Sequence, residues 1–217
     1  MEPRARPGRP STGARERILE AGIETLKADG YAGLTIAKVA ARAGENKALV
    51  SYHYGSKQGL VAAAGRQIAQ QITNDVLAGI EGASTVEQVV RGVAEEVDRI
   101  AAEDPRLART YFDLSAVSVV EPEVRTTISA INGQWRGVVV ELLTGAEEGL
   151  SPAKARATTT LLLAAVQGMA LERIEGTAVS DLPAAREMLV AALSETARPA
   201  RSPRAAPRPP RHRAPRA

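Results

Sequence analysis

The sequence predicts an all-α protein with nine helices. Alanine, leucine, arginine and glutamate, which favour helices, are abundant, and runs of β-branched residues flanked by hairpin turns are missing. Capping residues, early prolines and terminal glycines divide the chain into amphipathic stretches of ordinary helix length. The 217 residues show no internal repeat and suffice for one large or two small helical domains.

The first helix is predicted to begin near Ser11 or Thr12, where a hydroxyl can cap it, and to end near Ala28, before Gly30. Five positions recur at helical spacing on one face of this helix, which predicts that they are buried. These positions are Ile18, Ala21, Gly22, Thr25 and Leu26.

Two short helices follow in close succession. Thr35 is predicted to cap a helix over residues 36–43, and Asn46 a helix over residues 47–53. Only three residues, beginning with Gly44, separate them. Two short helices joined by a glycine-containing turn of this length form a helix-turn-helix, whose second helix can lie in the major groove of DNA.

Six longer helices are predicted to follow, and each begins at a capping residue or an early proline. The predicted starts are Ser56, Ser84, Asp104-Pro105, Glu121-Pro122, Ser151-Pro152 and Asp181-Leu182-Pro183. Beyond Ala197 the sequence consists mostly of arginine, proline and alanine without apolar periodicity, which predicts disorder.

The net charge of +3 is distributed unevenly along the chain. Residues 1–10 carry +2, and residues 198–217 carry seven arginines and no acid. Residues 11–60 add another +2, which leaves −8 for residues 61–197. A polyanion should therefore be attracted to the two ends and to the first sixty residues, and repelled by the rest.

Composition argues against several classes of site. The chain has no cysteine and only two histidines, and it has neither a glycine-rich phosphate loop nor the His/Glu spacing of a metal site. We therefore expect no enzymatic activity, no cofactor and no metal. No apolar run approaches the ~20 residues of a membrane-spanning helix, so we expect a cytoplasmic protein without a membrane partner.

The third helix carries side chains suited to duplex DNA. A helix that enters the major groove needs small residues first, so that its backbone can approach, and then groups that can donate to phosphate. The candidates for contact with base edges are Lys47, Ala48, Leu49 and Ser51. The candidates for contact with phosphate oxygens are Thr35, Tyr52, His53 and Lys57.

Several of these residues have a structural alternative. His53 could be a buried, hydrogen-bonded histidine, Lys47 a solvated charge, and Thr35 only a cap. Leu49 could read a thymine methyl group or pack inward. Tyr54, on the opposite side of the helix, is predicted to fill the core of the small domain.

The segments LTIAKVAARAG and ENKALVSYHYGSKQGL closely resemble the N-terminal DNA-binding domain of the tetracycline-repressor-like (TetR) family. The resemblance covers about residues 12–62 and implies the base-edge and phosphate roles assigned above. Three positions depart from the family pattern. Ser51 stands where an aromatic residue is frequent, Tyr54 replaces phenylalanine, and Glu45 occupies a position that is often apolar. Glu45 could repel phosphate or point to solvent.

This resemblance and the changes in composition give four predicted regions. They are a basic disordered arm over residues 1–11, a helix-turn-helix DNA-binding domain over 12–60, a helical ligand-binding and dimerisation domain over 61–197, and a disordered Arg/Pro-rich tail over 198–217. The tail could add sequence-independent affinity for DNA, or be a solvated extension.

A mixture of aromatic and polar residues in the middle helices predicts a ligand chamber. The candidates are Tyr111, Phe112, Ser115, Asn132, Trp135 and Met169, which include the only tryptophan and the only phenylalanine of the chain. No charged residue belongs to this set, which favours a neutral or weakly polar ligand. The alternative is ordinary core packing.

The eighth helix, which contains TTTLLLAAVQGMALERI, is apolar nearly all round, and small residues on it and on the ninth helix allow close approach of another helix. The candidates for a dimer interface are Leu161, Ala164, Ala165, Gly168, Ala185, Met188 and Ala192. Pairing two helices from each chain would make a four-helix bundle, the usual interface in the resembling family. Alternatively, the eighth helix is the central helix of a monomer.

Together these features predict a homodimeric transcriptional regulator, in particular a repressor that a small, mostly apolar ligand releases from a pseudo-palindromic DNA operator. Two other classes stay open. One is a nucleoid-type helical DNA binder without ligand response, and the other is a helical small-molecule carrier.

Overall fold

The computed structural model describes residues 13–195, which form nine α-helices and no strand, so the predicted all-α class is confirmed for this part of the chain. The helices are α1 Ala14–Gly33, α2 Ile36–Ala43, α3 Lys47–Tyr54, α4 Lys57–Gly79, α5 Val86–Glu103, α6 Pro105–Val120, α7 Pro122–Gly145, α8 Pro152–Glu175 and α9 Leu182–Glu195. The predicted basic arm, the caps at Ser11 and Thr12 and the Arg/Pro-rich tail lie outside the described residues.

Side-chain caps explain where α2, α3 and α4 begin. Thr35 Oγ1 accepts a hydrogen bond from the backbone N–H three residues later at 3.2 Å, and Asn46 Oδ1 and Ser56 Oγ do the same at 2.9 and 3.0 Å. Each bond satisfies one of the N–H groups that a helix start leaves unpaired. These three predicted caps are confirmed.

Two predicted boundaries need adjustment. α5 is capped by Thr85 and not by Ser84, because Thr85 forms a reciprocal capping box with Gln88. Helical hydrogen bonding of α1 continues to Gly33, although the backbone leaves the helical conformation at Gly30, with φ 67° and ψ −177°. The prediction that the helix ends before Gly30 is therefore wrong: Gly30 kinks α1, which continues to Gly33.

Two large hydrophobic clusters hold the helices together. The N-terminal cluster joins α1, α2, α3 and the start of α4 to Leu114 of α6 and to Ile128 and Ile131 of α7. The second, larger cluster joins α4, α5, α7, α8 and α9, together with Leu107 of α6. α4 runs without interruption through the boundary predicted between residues 60 and 61. The first three helices are thus packed directly on the helical body, here meaning residues 61–195.

The five positions predicted to form the inner face of α1 are all buried. α2 and α4 pack against this face, which fixes the position of the helix-turn-helix on the body. Among residues 13–195, no helix combines the length and the apolar character that crossing a membrane requires.

Candidate DNA interface and ligand cavity

α3 is anchored on one side and open on the other. Val50 has no exposed surface and packs in the N-terminal cluster. Lys47, Ala48, Ser51 and Tyr52 are exposed, and Tyr52 leaves 75% of its surface free. Because these four positions are one, three and one residues apart, they lie on a single face of the helix. All but Leu49 of the predicted base-edge candidates are therefore on the open face.

Leu49 and Tyr54 are half-buried and pack against the N-terminal cluster. The Tyr54 hydroxyl also donates a hydrogen bond to the backbone oxygen of Arg15 at 2.7 Å. The core role predicted for Tyr54 is confirmed. For Leu49, inward packing accounts for part of the side chain, and its contact with a base stays a prediction.

His53 is half-buried beside Tyr52, with the ring centroids 5.1 Å apart in an edge-to-face arrangement. Its Nε2 atom is shielded from solvent and has no hydrogen-bond partner among the described residues. The alternative that His53 is a buried histidine with its ring nitrogens hydrogen-bonded is therefore wrong for Nε2. The predicted phosphate contact of His53 requires Nδ1 or a rotated ring.

Lys57 has a protein partner that the sequence did not reveal. Its Nζ donates to the backbone oxygen of Tyr31 at 2.6 Å and lies 4.2 Å from the centroid of the Tyr31 ring. An ammonium group has three donors, so this hydrogen bond leaves two for other acceptors. The phosphate contact of Lys57 stays a prediction, and a structural role in fixing the end of α1 is added to it.

The position of Thr35 is compatible with both roles considered for it. The residue is exposed, and its hydroxyl oxygen accepts the capping bond from the Lys38 amide. The hydroxyl hydrogen remains available for a phosphate oxygen.

The prediction that Glu45 points to solvent is wrong, and repulsion of phosphate by Glu45 stays a prediction. Its carboxylate forms an ion pair with the guanidinium of Arg17, and only 13% of the Glu45 side chain is exposed. The turn between α2 and α3 is thereby tied to α1, and the positive charge of Arg17 offsets the carboxylate that would otherwise face an approaching polyanion.

A cavity of about 100 Å³ lies within the body, between α4, α5, α6, α7 and α8. Four of the six predicted ligand-site residues line it: Tyr111, Phe112, Asn132 and Trp135. The other two do not. Ser115 lies one turn further along α6, and Met169 faces a smaller neighbouring cavity beside Arg186. Met169 is two residues from Gln167, which does line the main cavity, so the two side chains leave α8 in different directions.

The polar groups of the cavity form a chain of hydrogen bonds. The Tyr111 hydroxyl donates to Asn132 Oδ1 at 3.1 Å and accepts from Gln167 Nε2 at 2.9 Å. Burial raises the pKa of Tyr111, so this hydroxyl stays protonated. Gln167 was missed in the sequence, although it is the one amide in the apolar stretch of α8 and could have been found on that ground.

The predicted interface residues of α8 and α9 form an exposed face of the single chain. Leu161 and Met188 leave 59% and 74% of their surfaces free, and Ala165 is the one member of the set that is half-buried. Gly168 has open space where a side chain would begin. Apolar and small residues in this arrangement can accept a second helix pair, and the dimer itself stays a prediction.

Two polar contacts connect the N-terminal helices to the body near the cavity. The Tyr31 backbone N–H donates to Asp113 Oδ2 at 2.5 Å, and Lys27 Nζ donates to Asp104 Oδ2 at 2.9 Å. Asp113 follows Phe112 directly on α6. Neighbouring residues of this helix therefore line the cavity and bind the end of α1. Neither contact was predicted from the sequence.

Comparison with known proteins gives matches in both regions. Residues 18–64 match the family model described as bacterial regulatory proteins, tetR family. The HTH-type transcriptional regulator BetI 1 of Chromohalobacter salexigens is 25% identical over 122 residues, which are 56% of this chain and 60% of that protein. The match thus spans less than two thirds of that regulator.

Longer matches include the body. The HTH-type transcriptional regulator CymR of Pseudomonas putida is 26% identical over 187 residues, which are 79% of this chain and 88% of that protein. A solved TetR-family structure from Streptomyces coelicolor is 25% identical and superposes with a TM-score of 0.66, covering 83% of this chain and 98% of the other.

Proposed function

We propose that this chain, which belongs to the TetR family of bacterial regulatory proteins, is a DNA-binding transcriptional regulator. It acts in the cytoplasm as a homodimer that binds a pseudo-palindromic operator and catalyses no reaction. A small, mostly apolar ligand releases it from the operator. The observation that carries this proposal is the open face of α3, where small and polar side chains project from a helix anchored by Val50.

The shape of this face suits the major groove. The groove is about 12 Å wide and admits one α-helix. Ala48 and Ser51 are small enough to let the α3 backbone approach the base edges, and Lys47 can donate to a guanine there. Tyr52 and Thr35 carry hydroxyls that can donate to the phosphates on either side. Lys57 adds two free donors close to the start of α4.

A dimer would supply the symmetry that a palindrome requires. The exposed face of α8 and α9 can pack against its own copy around a twofold axis, which makes a four-helix bundle. The same axis relates the two copies of α3, and each copy then reads one half-site. The acidic body faces away from the DNA in this arrangement, which agrees with its charge of −8.

α6 offers a route from the ligand to the DNA-binding helices. Tyr111 and Phe112 line the cavity, while Asp113 holds the Tyr31 amide. A ligand that displaces α6 also displaces Asp113 and thereby the end of α1. Since Lys57 holds the Tyr31 carbonyl, the displacement reaches the start of α4 and the adjoining α3. The ligand then favours an arrangement in which the two copies of α3 no longer match the operator.

Selection of bound sequences from random double-stranded DNA tests the proposal. The full chain should enrich a pseudo-palindrome whose half-sites are separated by about one helical turn or a multiple of it. Retention of DNA without any enriched sequence would instead support the nucleoid-type binder. Failure to retain DNA at all would support the carrier.

A further inference from the structure

We infer that the ligand of the cavity is an uncharged, mostly apolar molecule, no larger than a single substituted ring, with one hydrogen-bond acceptor of the carbonyl type. Asn132 and Gln167 would hold that acceptor. The inference rests on the proposed ligand-responsive function and specifies the chemistry that its site recognises.

The lining of the cavity argues against a charged ligand. No Asp, Glu, Lys, Arg or His is among the described residues that line it. Arg136 is adjacent to Trp135 in sequence, but it is exposed and donates to Thr160 Oγ1 at 3.1 Å. Burial raises the pKa of the Tyr111 hydroxyl and outweighs the charge of Arg136, which lowers that pKa. Burying an ionised group without a partner of opposite charge costs more free energy than contact with aromatic faces returns. Neither a carboxylate nor an ammonium ligand is therefore favoured.

The hydrogen-bond inventory favours an acceptor on the ligand. Tyr111 uses its hydroxyl hydrogen on Asn132, and Thr73 and Thr110 use theirs on backbone oxygens one turn earlier, each at 2.8 Å. The amide of Asn132 keeps both N–H donors, and that of Gln167 keeps one. Gln167 Oε1 is the only amide oxygen that the chain of hydrogen bonds leaves unused. The two amides thus keep three N–H donors among the residues that line the cavity, and a carbonyl oxygen on the ligand can accept from them.

The volume of the cavity limits the size of the ligand. A cavity of about 150 Å³ lined by apolar side chains can bind benzene, whereas this cavity measures about 100 Å³. A substituted ring therefore fits only if the walls yield. Tyr111 and Phe112 of α6 are part of those walls, so binding of such a ring would itself displace the helix that holds Asp113.

Four probes of similar size separate charge from hydrogen bonding. They are acetophenone, isopropylbenzene, benzoate and phenyltrimethylammonium, each titrated into the full chain without DNA and followed by calorimetry. Acetophenone should bind about fivefold more tightly than isopropylbenzene, because it adds one hydrogen bond. Both ions should bind at least about tenfold more weakly than isopropylbenzene. Trp135 is the only tryptophan, so a change in its emission reports independently on the cavity.

Variants identify the groups that hold the acceptor. Replacing all three polar groups together, by Tyr111→Phe, Asn132→Leu and Gln167→Leu, removes the whole hydrogen-bonded chain at once and should abolish the preference for acetophenone over isopropylbenzene. The matched control carries Tyr54→Phe and Gln134→Leu, which lie outside the cavity, and should keep the preference. Circular dichroism checks that both proteins retain their helices.

Three results would overturn the inference. They are binding of either ion as tightly as acetophenone, survival of the preference in the triple variant, and no binding of any probe to the unmodified chain. These outcomes are independent of the selection from random DNA. If a palindrome is recovered but no probe binds, the inferred ligand chemistry is wrong and the proposed regulator stands. If probes bind but no palindrome is recovered, the ligand chemistry stands and the sequence-specific regulator is wrong.

Discussion

The N-terminal helices and the helical body use polar residues in opposite ways. On α3, polar groups are presented to the outside, and the apolar residue Val50 serves only to anchor the helix. In the body, the polar groups of Tyr111, Asn132 and Gln167 bond to one another inside an apolar cavity, and apolar residues are presented outside on α8 and α9. The first arrangement suits a charged, hydrated partner, and the second suits an apolar ligand and a second copy of the chain.

A single chain can connect these two kinds of recognition through a small contact region. The regions share few polar contacts, and those contacts are concentrated where α6 meets the end of α1. A change in the cavity therefore reaches the DNA-binding helices through a small number of identifiable residues.

The largest effect is expected from a charge on the exposed face of α8. Leu161→Glu places a carboxylate where two copies would pack, so the dimer should dissociate. Affinity for a two-half-site operator should then fall by about a hundredfold, since the two half-sites are no longer bound together. Sedimentation and binding to the selected operator measure the two effects. Val119→Glu is the matched control, because Val119 is also an exposed apolar residue but lies on α6. A Leu161→Glu protein that remains dimeric contradicts the interface.

The next effect concerns the connection between the two regions. Gly30→Ala should lower the free energy of unfolding by about 1–3 kcal/mol, because φ 67° with ψ −177° is accessible essentially to glycine alone. A Cβ there would also lie 3.0 Å from Asp113 Oδ2. Gly44→Ala is the control: it has φ 68° with ψ 29° and nothing within 4 Å, so it should cost less, about 1 kcal/mol. Urea denaturation measures both free energies of unfolding. If the two variants lose the same amount, neither the backbone conformation of Gly30 nor the closeness of Asp113 to a Cβ at this position adds to the cost.

Two lysines should separate affinity from specificity on the DNA-binding side. Lys57→Ala should weaken binding to all sequences by about tenfold and reduce the salt dependence, whereas Lys47→Ala should also relax the base preference. Lys57→Ala should in addition lower the melting temperature, because the carbonyl of Tyr31 loses its partner. Lys154→Ala, on the exposed surface of α8, should change neither property. If base preference falls equally in the Lys47 and Lys57 variants, the assigned roles are wrong.

The smallest effect is a pH dependence at the Lys27–Asp104 contact. Burial raises the pKa of the Asp104 carboxyl, but hydrogen bonds from Lys27 and from the Leu107 amide outweigh it, so the pKa lies below the ordinary 3.8. A pKa lowered by folding contributes stability above that ordinary value, and the contribution is lost as the pH falls below it. The Asp104 side chain is 40% exposed, so less than about 1 kcal/mol is expected.

Melting temperatures measured from neutral pH down into this acid range test that expectation. Lys27→Met should reduce the acid-induced loss of stability, whereas Lys154→Met should leave it unchanged. An identical pH profile for the Lys27 variant and the unmodified chain would show that the contact does not contribute.

Short-range features of the fold could be predicted from the sequence because their causes lie within one turn of helix. The caps at Thr35, Asn46 and Ser56 depend on an oxygen and an amide three residues apart, and a residue type alone indicates them. The break at Gly30 likewise follows from the conformational freedom of glycine. The nine-helix architecture of the described residues is largely the sum of such local causes.

Contacts between distant positions could not be predicted in this way. Arg17 and Glu45 are 28 residues apart, and Lys57 and Tyr31 are 26 apart, so neither pair has a sequence signature. In the cavity, the sequence indicated the right helices but not their rotation. Met169 was therefore included although it faces a neighbouring cavity, and Gln167 was omitted although it bonds to Tyr111.

The central claim is that the open face of α3 lies in the major groove, and a tethered cleavage reagent tests it most directly. The chain has no cysteine, so Ser51→Cys provides a single attachment point on α3, and Ser129→Cys provides a matched exposed control on α7. With the selected operator, the reagent at position 51 should cut the DNA at two symmetric sites within the half-sites, and at position 129 it should cut nowhere. Equal cutting from both positions, or no cutting from position 51 while the operator is bound, would contradict the account.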